Sequence, residues 1–369
     1  MQTKGPSTSL SRRTLIGGLG AGATAGLLGS RAGLAQPAIG KGSVLTISTW
    51  GGVTSDGIKN FLGAEFTKQT GATLAFDIGG QGARYNKLLA QKGNQTADVF
   101  FGTDEALVSG QRAGVLSTVR RKNIPNAADV HDWASTVKGG LTDETLPGVP
   151  YTLISYVLAY NPDVVKTAPT SWGDLWRPEF KGKLAFASPV HSAMPFFVII
   201  AAELAGGSAK NPDAGFKKLA ELKPNKLTVF WTDWAPQLKT GDTTAATEFD
   251  YYLDTMKRDG YPIAYVLPDE GAIAAAEYAA PVTGSKNPEL IEAFLNLMLD
   301  PKVQESFAVQ TFQGPTNKKV VLSAEAASKA AYGDKLKKIR FFDPVFAADM
   351  RPAWTERMNT EVVPAWQSR

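Results

Sequence analysis

The chain of 369 residues is 43% hydrophobic and 20% charged, a length suited to two domains and a composition too apolar for disorder. Zero cysteine excludes disulfides, thiolate nucleophiles, Fe–S clusters and cysteine zinc sites, and two histidines, His131 and His191, leave little for a His-rich metal centre. The formal charge of +4 comes from Lys4, Arg12, Arg13 and Arg31 in an acid-free leader, so residues 36–369 are neutral overall and argue against a nucleic-acid partner.

Residues 1–35 run from a basic start through a weakly apolar middle to a small-residue end. Ser11-Arg12-Arg13-Thr14-Leu15-Ile16 resembles a twin-arginine export signal, which carries proteins across already folded. Cleavage after Ala35 is expected, with Gly33 and Ala35 as the small residues of the site. The Gly/Ala/Leu run to Leu28 is too short and glycine-rich for a stable span. An ordinary secretory peptide and an uncleaved anchor are the alternatives, and each places the product outside the cytoplasmic membrane.

From Val44 the pattern alternates strand and helix. Val44 to Ser48 reads as a strand, Ile58, Phe61, Leu62 and Phe66 as a helical stripe, and Gly71 as its stop. A strand at Ala72 to Phe76, a helix marked by Tyr85, Leu88 and Leu89, and a strand at Asp98 to Phe101 follow. Strands separated by crossover helices pair in parallel, so this is an α/β domain. Its ligands are expected beyond the strands' carboxyl ends, at Thr49-Trp50-Gly51-Gly52, Asp77 to Gly82, and Gly102-Thr103-Asp104.

A second α/β stretch begins after Pro147-Gly148-Val149-Pro150. Leu184 to Ala187, Leu227 to Phe230, Thr243 to Phe249 and Ile263 to Leu267 read as strands, with helices at Ala193 to Leu204 and Ala214 to Leu222. An extended run returns near Ala279 to Val282. Asn287-Pro288 and Asp300-Pro301 then each place a capping residue before a helix-starting proline. No repeat of solenoid period is present.

Several residues are candidates for a ligand site, each with a plainer role beside it. Trp50 either packs at a core edge or stacks on a ligand above the amides of Gly51 and Gly52. Gly79-Gly80-Gln81-Gly82 either cradles a polar ligand or simply turns into a helix, and it lacks the lysine of a nucleotide site. Arg84 reads as a solvated surface residue. In Phe230-Trp231-Thr232-Asp233-Trp234, Trp231 is the ligand candidate and Asp233 a helix N-cap. Asp250, in Glu248-Phe249-Asp250-Tyr251-Tyr252, is either a cap or the partner of an amine, and Glu270 sits in Pro268-Asp269-Glu270-Gly271. Aromatic faces with one or two acids make a cation site. No Gly-x-Ser-x-Gly elbow, His-Glu-x-x-His pair or Walker lysine occurs, so an exported enzyme is the weakest reading.

Leu45 to Gly52, Phe66-Thr67-Lys68-Gln69-Thr70-Gly71, Ala97-Asp98-Val99, Tyr160-Asn161-Pro162, Ser171 to Trp176 with Phe180-Lys181-Gly182-Lys183, Pro268 to Gly271 and Gly314-Pro315-Thr316-Asn317 occur in this order. Together they resemble periplasmic solute-binding proteins of ABC importers, of the spermidine/putrescine-binding type. The resemblance spans essentially the whole chain after the leader. It implies a two-lobe periplasmic-binding-protein fold (type II-like) with the ligand cleft between lobes, closed by a hinge motion. It also implies a small-molecule solute, an ABC permease as membrane partner, a monomer, and no cofactor. The expected lobes are 42–150 plus about 279–315, and 151–278, with 316–369 packing mainly on the second. The resemblance implies Trp50, Thr103, Trp231, Asp250 and Glu270 as ligand-binding residues, and Gly51, Gly52, Asp104, Ser188 and Tyr251 complete the expected site.

Where the polyamine type has acids after Phe186, this chain has Ser188-Pro189-Val190-His191-Ser192. With fewer acids, a monoamine or a zwitterion such as a 4-aminobutyrate-like amino acid fits better than a polycation. Arg84, Ser188 and backbone N–H groups at helix starts are the candidate donors for a carboxylate end. The alternative within the binding class is ferric iron, because Tyr251-Tyr252 resembles the adjacent tyrosines of periplasmic iron-binding proteins.

Overall fold

The computed structural model of the protein describes residues 39–138 and 140–367, so the export-signal reading of residues 1–35 lies outside the described residues. Strand β1 (Val44–Thr49) leads through α1 (Val53–Gly57), a π-helical turn at Ile58–Gly63 and α2 (Ala64–Thr70). Ile58, Leu62 and Phe66 are buried, the apolar stripe that presses this run onto the sheet. It stops at Gly71, whose φ of 74° is left-handed and open to glycine without strain. β2 (Thr73–Ile78), α3 (Gln81–Ala90), β3 (Val99–Thr103) and α4 (Asp104–Arg112) complete the first half, and β1 runs parallel to both β2 and β3. β4 (Val119–Arg120) and β5 (Thr145–Leu146) make a separate antiparallel pair.

β6 (Val149–Tyr160) opens the second half, which continues with β7 (Leu184–Ala187), α5 (Met194–Leu204), α6 (Asp213–Ala220), β8 (Lys226–Thr228) and α7 (Ala235–Thr240). β9 (Ala245–Phe249), α8 (Asp250–Arg258), β10 (Ala264–Val266) and β11 (Ala272–Pro281) follow. The remainder comprises α9 (Pro288–Met298), α10 (Pro301–Thr311), β12 (Gly314–Pro315), α11 (Ala324–Lys329), β13 (Ile339–Phe341), α12 (Pro344–Arg357) and α13 (Val363–Gln367). Among the described residues no helix is long and apolar enough to cross a membrane.

The main path of the sheet runs β2-β1-β3-β11-β6-β9-β7-β8, with β10 and β12 on β6 and β13 on β11. β6 and β11 are antiparallel and carry the sheet from one α/β half to the other. β11 pairs β3 through Glu277–Pro281 and β6 through Ile273–Ala279, and β6 pairs β9 through Tyr156–Tyr160. The register between β11 and β6 shifts at Glu277/Tyr278, a bulge that re-aims the local side chains.

Two apolar cores lie in the two halves. Leu45, Ile47, Phe66, Val99 and Phe101 pack with Leu290, Ile291 and Phe294 of α9 in the first. Trp172, Phe186, Phe197 and Phe216 pack in the second with Trp354 of α12 and Trp366 of α13. The segment after β12 is divided: α11 clusters with Ala308 of α10 through Ala326 and Ala330, whereas α12 and α13 cover the second core.

Most elements stand where the periodicity places them. Asp300 caps α10 as expected, accepting from the amides of Lys302 and Val303 at 2.9 and 3.2 Å, but Asn287 supplies no side-chain cap to α9. Asp233 differs too: it accepts from the amides of Val229 and Phe230 at 3.3 and 3.2 Å, closing the turn before it, and Trp234 takes the N-cap of α7.

One close backbone approach tests this packing. A Cβ added at Gly215 in α6 would stand 2.5 Å from the Val198 carbonyl oxygen and 2.7 Å from the Ala202 amide of α5. Gly215→Ala should therefore destabilise by about 1–3 kcal/mol, as overpacking does. Urea unfolding measures it, and an unchanged midpoint would mean that α5 and α6 separate at no cost.

Candidate functional site

A cavity of about 410 Å³ opens where the strands of both halves end. From the first half it is lined by Trp50 after β1, by Gly80 to Ala83 at the start of α3, and by Thr103 and Glu105 at the turn from β3 into α4. From the second half come Val190, His191 and Ser192 after β7, Phe230 after β8, and Phe249, Tyr251 and Tyr252 at the turn from β9 into α8. Ile154 of β6 and Glu277 of β11 form the floor between them, and Arg351 reaches in from α12. This is the carboxyl-end crevice of an α/β sheet, built twice and face to face. The positive ends of α3, α4 and α8 meet there.

Glu277 is 2% exposed, at the bulge of β11. Tyr151 donates its hydroxyl to Oε2 at 2.8 Å, and Gln313 Nε2 lies at 3.5 Å. Burial pushes the Glu277 carboxyl up to about 7, against the opposing pull of the Tyr151 bond and the Arg84 charge. Tyr251 and Tyr252 lie with ring centroids 4.1 Å apart, and Phe249 stacks on Tyr251 at 5.9 Å. A wall of ring faces with a desolvated carboxyl among them can hold one ammonium.

Arg84, read from the sequence as a solvated residue, is instead 3% exposed. Its Nε donates to the Gly79 carbonyl at 2.8 Å, and Nη1 to the carbonyls of Ser48 and Phe101, each at 2.9 Å. The guanidinium lies between the Trp50 and Phe100 rings, at 4.9 and 4.8 Å. It ties three strand ends together and braces the indole that lines the cavity.

Contacts also cross the cavity from one half to the other. Arg351 Nη2 is 2.5 Å from Glu105 Oε2, and Arg112 Nη1 of α4 is 2.5 Å from Asp349 Oδ1 of α12. Gly80 lies against the Phe230 ring, close enough that an added Cβ would be 3.4 Å from its Cζ. The two halves are therefore seated against each other.

Of the residues singled out in the sequence, Trp50, Gly80, Gln81, Gly82, Thr103, Tyr251 and Tyr252 stand on the wall. The remaining expected ligand residues are placed elsewhere. Gly51 and Gly52 lead into α1 off the wall, and Trp231 packs behind Tyr252 with its ring 6.5 Å away. Asp104 is buried on Thr136 Oγ1 at 2.9 Å. Asp250 is buried against Ser155, accepting from its hydroxyl and, at 3.3 Å, from its amide, so it too lies off the wall. Ser188 is bound through its amide to the Thr228 carbonyl at 3.0 Å. Glu270 accepts from Ser171 and from the Trp172 amide at 3.0 Å, fixing the turn at Trp172–Trp176.

Glu105, Glu277 and Arg351 are wall residues that the sequence pattern does not reveal. Glu277 sits in the alanine-rich run Ala274-Ala275-Ala276-Glu277, and a lone acid inside a fully buried strand is the signal that could have exposed it. Arg351 precedes Pro352 inside α12 and carries no local mark of a site.

A family model described as bacterial extracellular solute-binding protein matches residues 62–333. The chain is 26% identical over 286 residues to a gamma-aminobutyric acid-binding protein of Pseudomonas aeruginosa, covering 74% of this chain and 77% of that protein. It is 24% identical over 280 residues to the spermidine/putrescine-binding periplasmic protein of Escherichia coli, covering 73% and 78%. A crystal structure of an ABC transporter from Clostridium perfringens superposes with a TM-score of 0.71 at 30% identity, over 86% of this chain and 99% of that one.

The buried carboxyls make stability depend on pH. Folded Glu277 keeps its proton to about 7, whereas an unfolded chain releases it near 4.5. Asp104 and Glu248 are likewise pushed up to about 7 and Asp250 to about 6, in each case chiefly by burial. Between these limits the four carboxyls hold protons that the unfolded chain has released, which outweighs the opposite effect of His191, lowered from 6.5 to about 3. Stability of the empty protein therefore falls as pH rises from about 4.5 to 7. Glu292, lowered beside Arg120, acts below this window. Glu277→Gln should flatten the slope, read as the urea midpoint against pH; an unaltered slope would mean that Glu277 is ionised throughout.

Proposed function

The chain belongs to the bacterial extracellular solute-binding protein family, and from that premise we propose that it is the receptor of an ABC importer, capturing a small amine-containing solute by hinge closure and delivering it to a membrane permease. The observation that carries the amine is Glu277, a wall acid that makes no ion pair among the described residues and feels the Arg84 charge only at longer range, in a cavity of aromatic faces. Glu105, the other acid on the wall, is matched by Arg351. One free carboxylate neutralises one ammonium, which favours a monoamine or a 4-aminobutyrate-like amino acid over a polyamine. The names of the gamma-aminobutyric acid- and polyamine-binding relatives support the amine class.

No bond is made or broken in this scheme. Open and closed arrangements exchange about β6 and β11, and a solute that touches both halves favours the closed one in proportion to its differential affinity. The permease then recognises the closed form. The receptor works as a monomer in the periplasm, exported through the Arg12-Arg13 leader by the twin-arginine route, and uses neither cofactor nor nucleic acid.

Ferric iron is the second reading, favoured by Tyr251 and Tyr252 standing side by side on the wall. Burial raises the pKa of both hydroxyls, so iron would have to displace their protons against that shift on binding.

A thermal-shift screen across ω-amino acids, polyamines and ferric citrate tests the assignment. An ω-amino acid should raise the melting temperature by mass action. Because a bound ammonium draws the proton from Glu277, calorimetry in buffers of different ionisation enthalpy should show a fraction of a proton released per solute at pH 7, and none with Glu277→Gln. A colour change with ferric citrate and no response to amines would replace the amine by iron.

Closure gives a second test. Glu105→Gln leaves Arg351 without its carboxylate and should weaken solute binding at least about tenfold, whereas the exposed Arg112–Asp349 pair is worth about 0–1 kcal/mol, so Arg112→Ala should cost about fivefold or less. Equal effects in the two variants would mean that neither pair acts through closure.

A further inference from the structure

The loop between β7 and α5 carries donors that the amine reading leaves unused. His191 is 6% exposed and stands on the cavity wall, its ring 5.1 Å from Tyr156 and 5.6 Å from Phe249. The Ala193 amide reaches its Nδ1 at 3.1 Å. An amide can only donate, so Nδ1 accepts and the neutral ring carries its proton on Nε2. Burial and the nearby Arg351 charge pull the imidazole down to about 3, so the ring stays neutral. Nε2 has no hydrogen-bond partner among the described residues, and neither has the Ser192 hydroxyl beside it on the wall.

The carbonyls of His191 and Ser192 are already engaged. Arg351 donates from Nη1 to the His191 carbonyl at 3.2 Å and from Nη2 to the Ser192 carbonyl at 2.8 Å. The His191 carbonyl also receives the Met194 amide at 3.1 Å, where α5 begins. What remains for a ligand is therefore a pair of donors at the positive end of an eleven-residue helix. An oxygen anion takes both N–H and O–H, whereas an ammonium could use the Ser192 oxygen alone and would face the His191 N–H.

We propose that His191 and Ser192 form an anion subsite in the cavity that Glu277 lines, so that the receptor selects zwitterionic ω-amino acids bearing a carboxylate or a phosphonate. This rests on the amine reading above: Glu277 and the aromatic wall take the ammonium, and His191 Nε2–H with the Ser192 hydroxyl takes the anionic head. Arg351 is a positioning residue, holding the loop carbonyls back while Glu105 cancels its charge. A diamine would leave its second ammonium against these donors.

Titration calorimetry with 4-aminobutyrate, 2-aminoethylphosphonate and n-butylamine tests the subsite on the wild type, His191→Phe and His191→Gln. Phenylalanine keeps the ring packing without the donor, and glutamine returns an N–H. The wild type should prefer the zwitterions over n-butylamine by at least about tenfold, the scale of a hydrogen bond to a charged group. His191→Phe should lose that preference while n-butylamine binding holds, and His191→Gln should restore part of it. The phosphonate and carboxylate arms then show which head fits better. Wild-type binding of n-butylamine as tight as that of the zwitterions, or equal losses for all probes in His191→Phe and His191→Gln, overturns the subsite alone. Silence of the wild type toward every amine overturns the amine reading and the subsite with it.

Discussion

The antiparallel pairing of β6 with β11 is the constraint on which the molecule depends. Each strand is hydrogen-bonded to its own half and to the other, so the two α/β units share one sheet although their cores are separate. A continuous sheet cannot bend freely, yet a bulge interrupts the ladder at Glu277/Tyr278, beside the cavity floor. The acid at the centre of the site thus sits where the register of the joining strands is irregular. In the proposed mechanism, binding at that acid and relative movement of the halves act on the same few residues.

Charge is distributed sparingly around this point. Arg351 and Glu105 cancel, Arg84 is absorbed by backbone carbonyls, and Asp104 and Asp250 are turned into their own helix starts. What faces the cavity is one carboxyl of raised pKa, aromatic rings, and the neutral donors of a histidine and a serine. An empty site of this kind needs no bound counter-ion, because its acid can be satisfied by a proton. A solute that brings its own charges replaces that proton, which is cheaper than stripping water from a standing ion.

Much of this was legible in the sequence. Alternation of β-rich and helical segments placed β1, β2, β3, β7 and α5, the rule that ligands sit beyond carboxyl ends led to Trp50 and Thr103, and the resemblance to iron-binding proteins drew out Tyr251 and Tyr252. Two kinds of information were absent. β6 is buried along nearly its whole length, so it shows no two-residue alternation and escapes periodicity. Direction was the other: Asp250 and Glu270 lie at the expected junctions, but a junction does not say whether a carboxylate turns outward to a solute or inward to Ser155 or Trp172. Arg84 is hidden for the same reason, since its burial depends on carbonyls from strands far away in the chain.

The bridge between α4 and α12 joins residues 237 positions apart. Contacts of such wide separation carry a large loop-closure cost. The first core draws on α9 and the second on α12 and α13, so each half must recruit chain made long after its own strands. The cavity wall is complete only once α12 has been made, because Arg351 belongs to it.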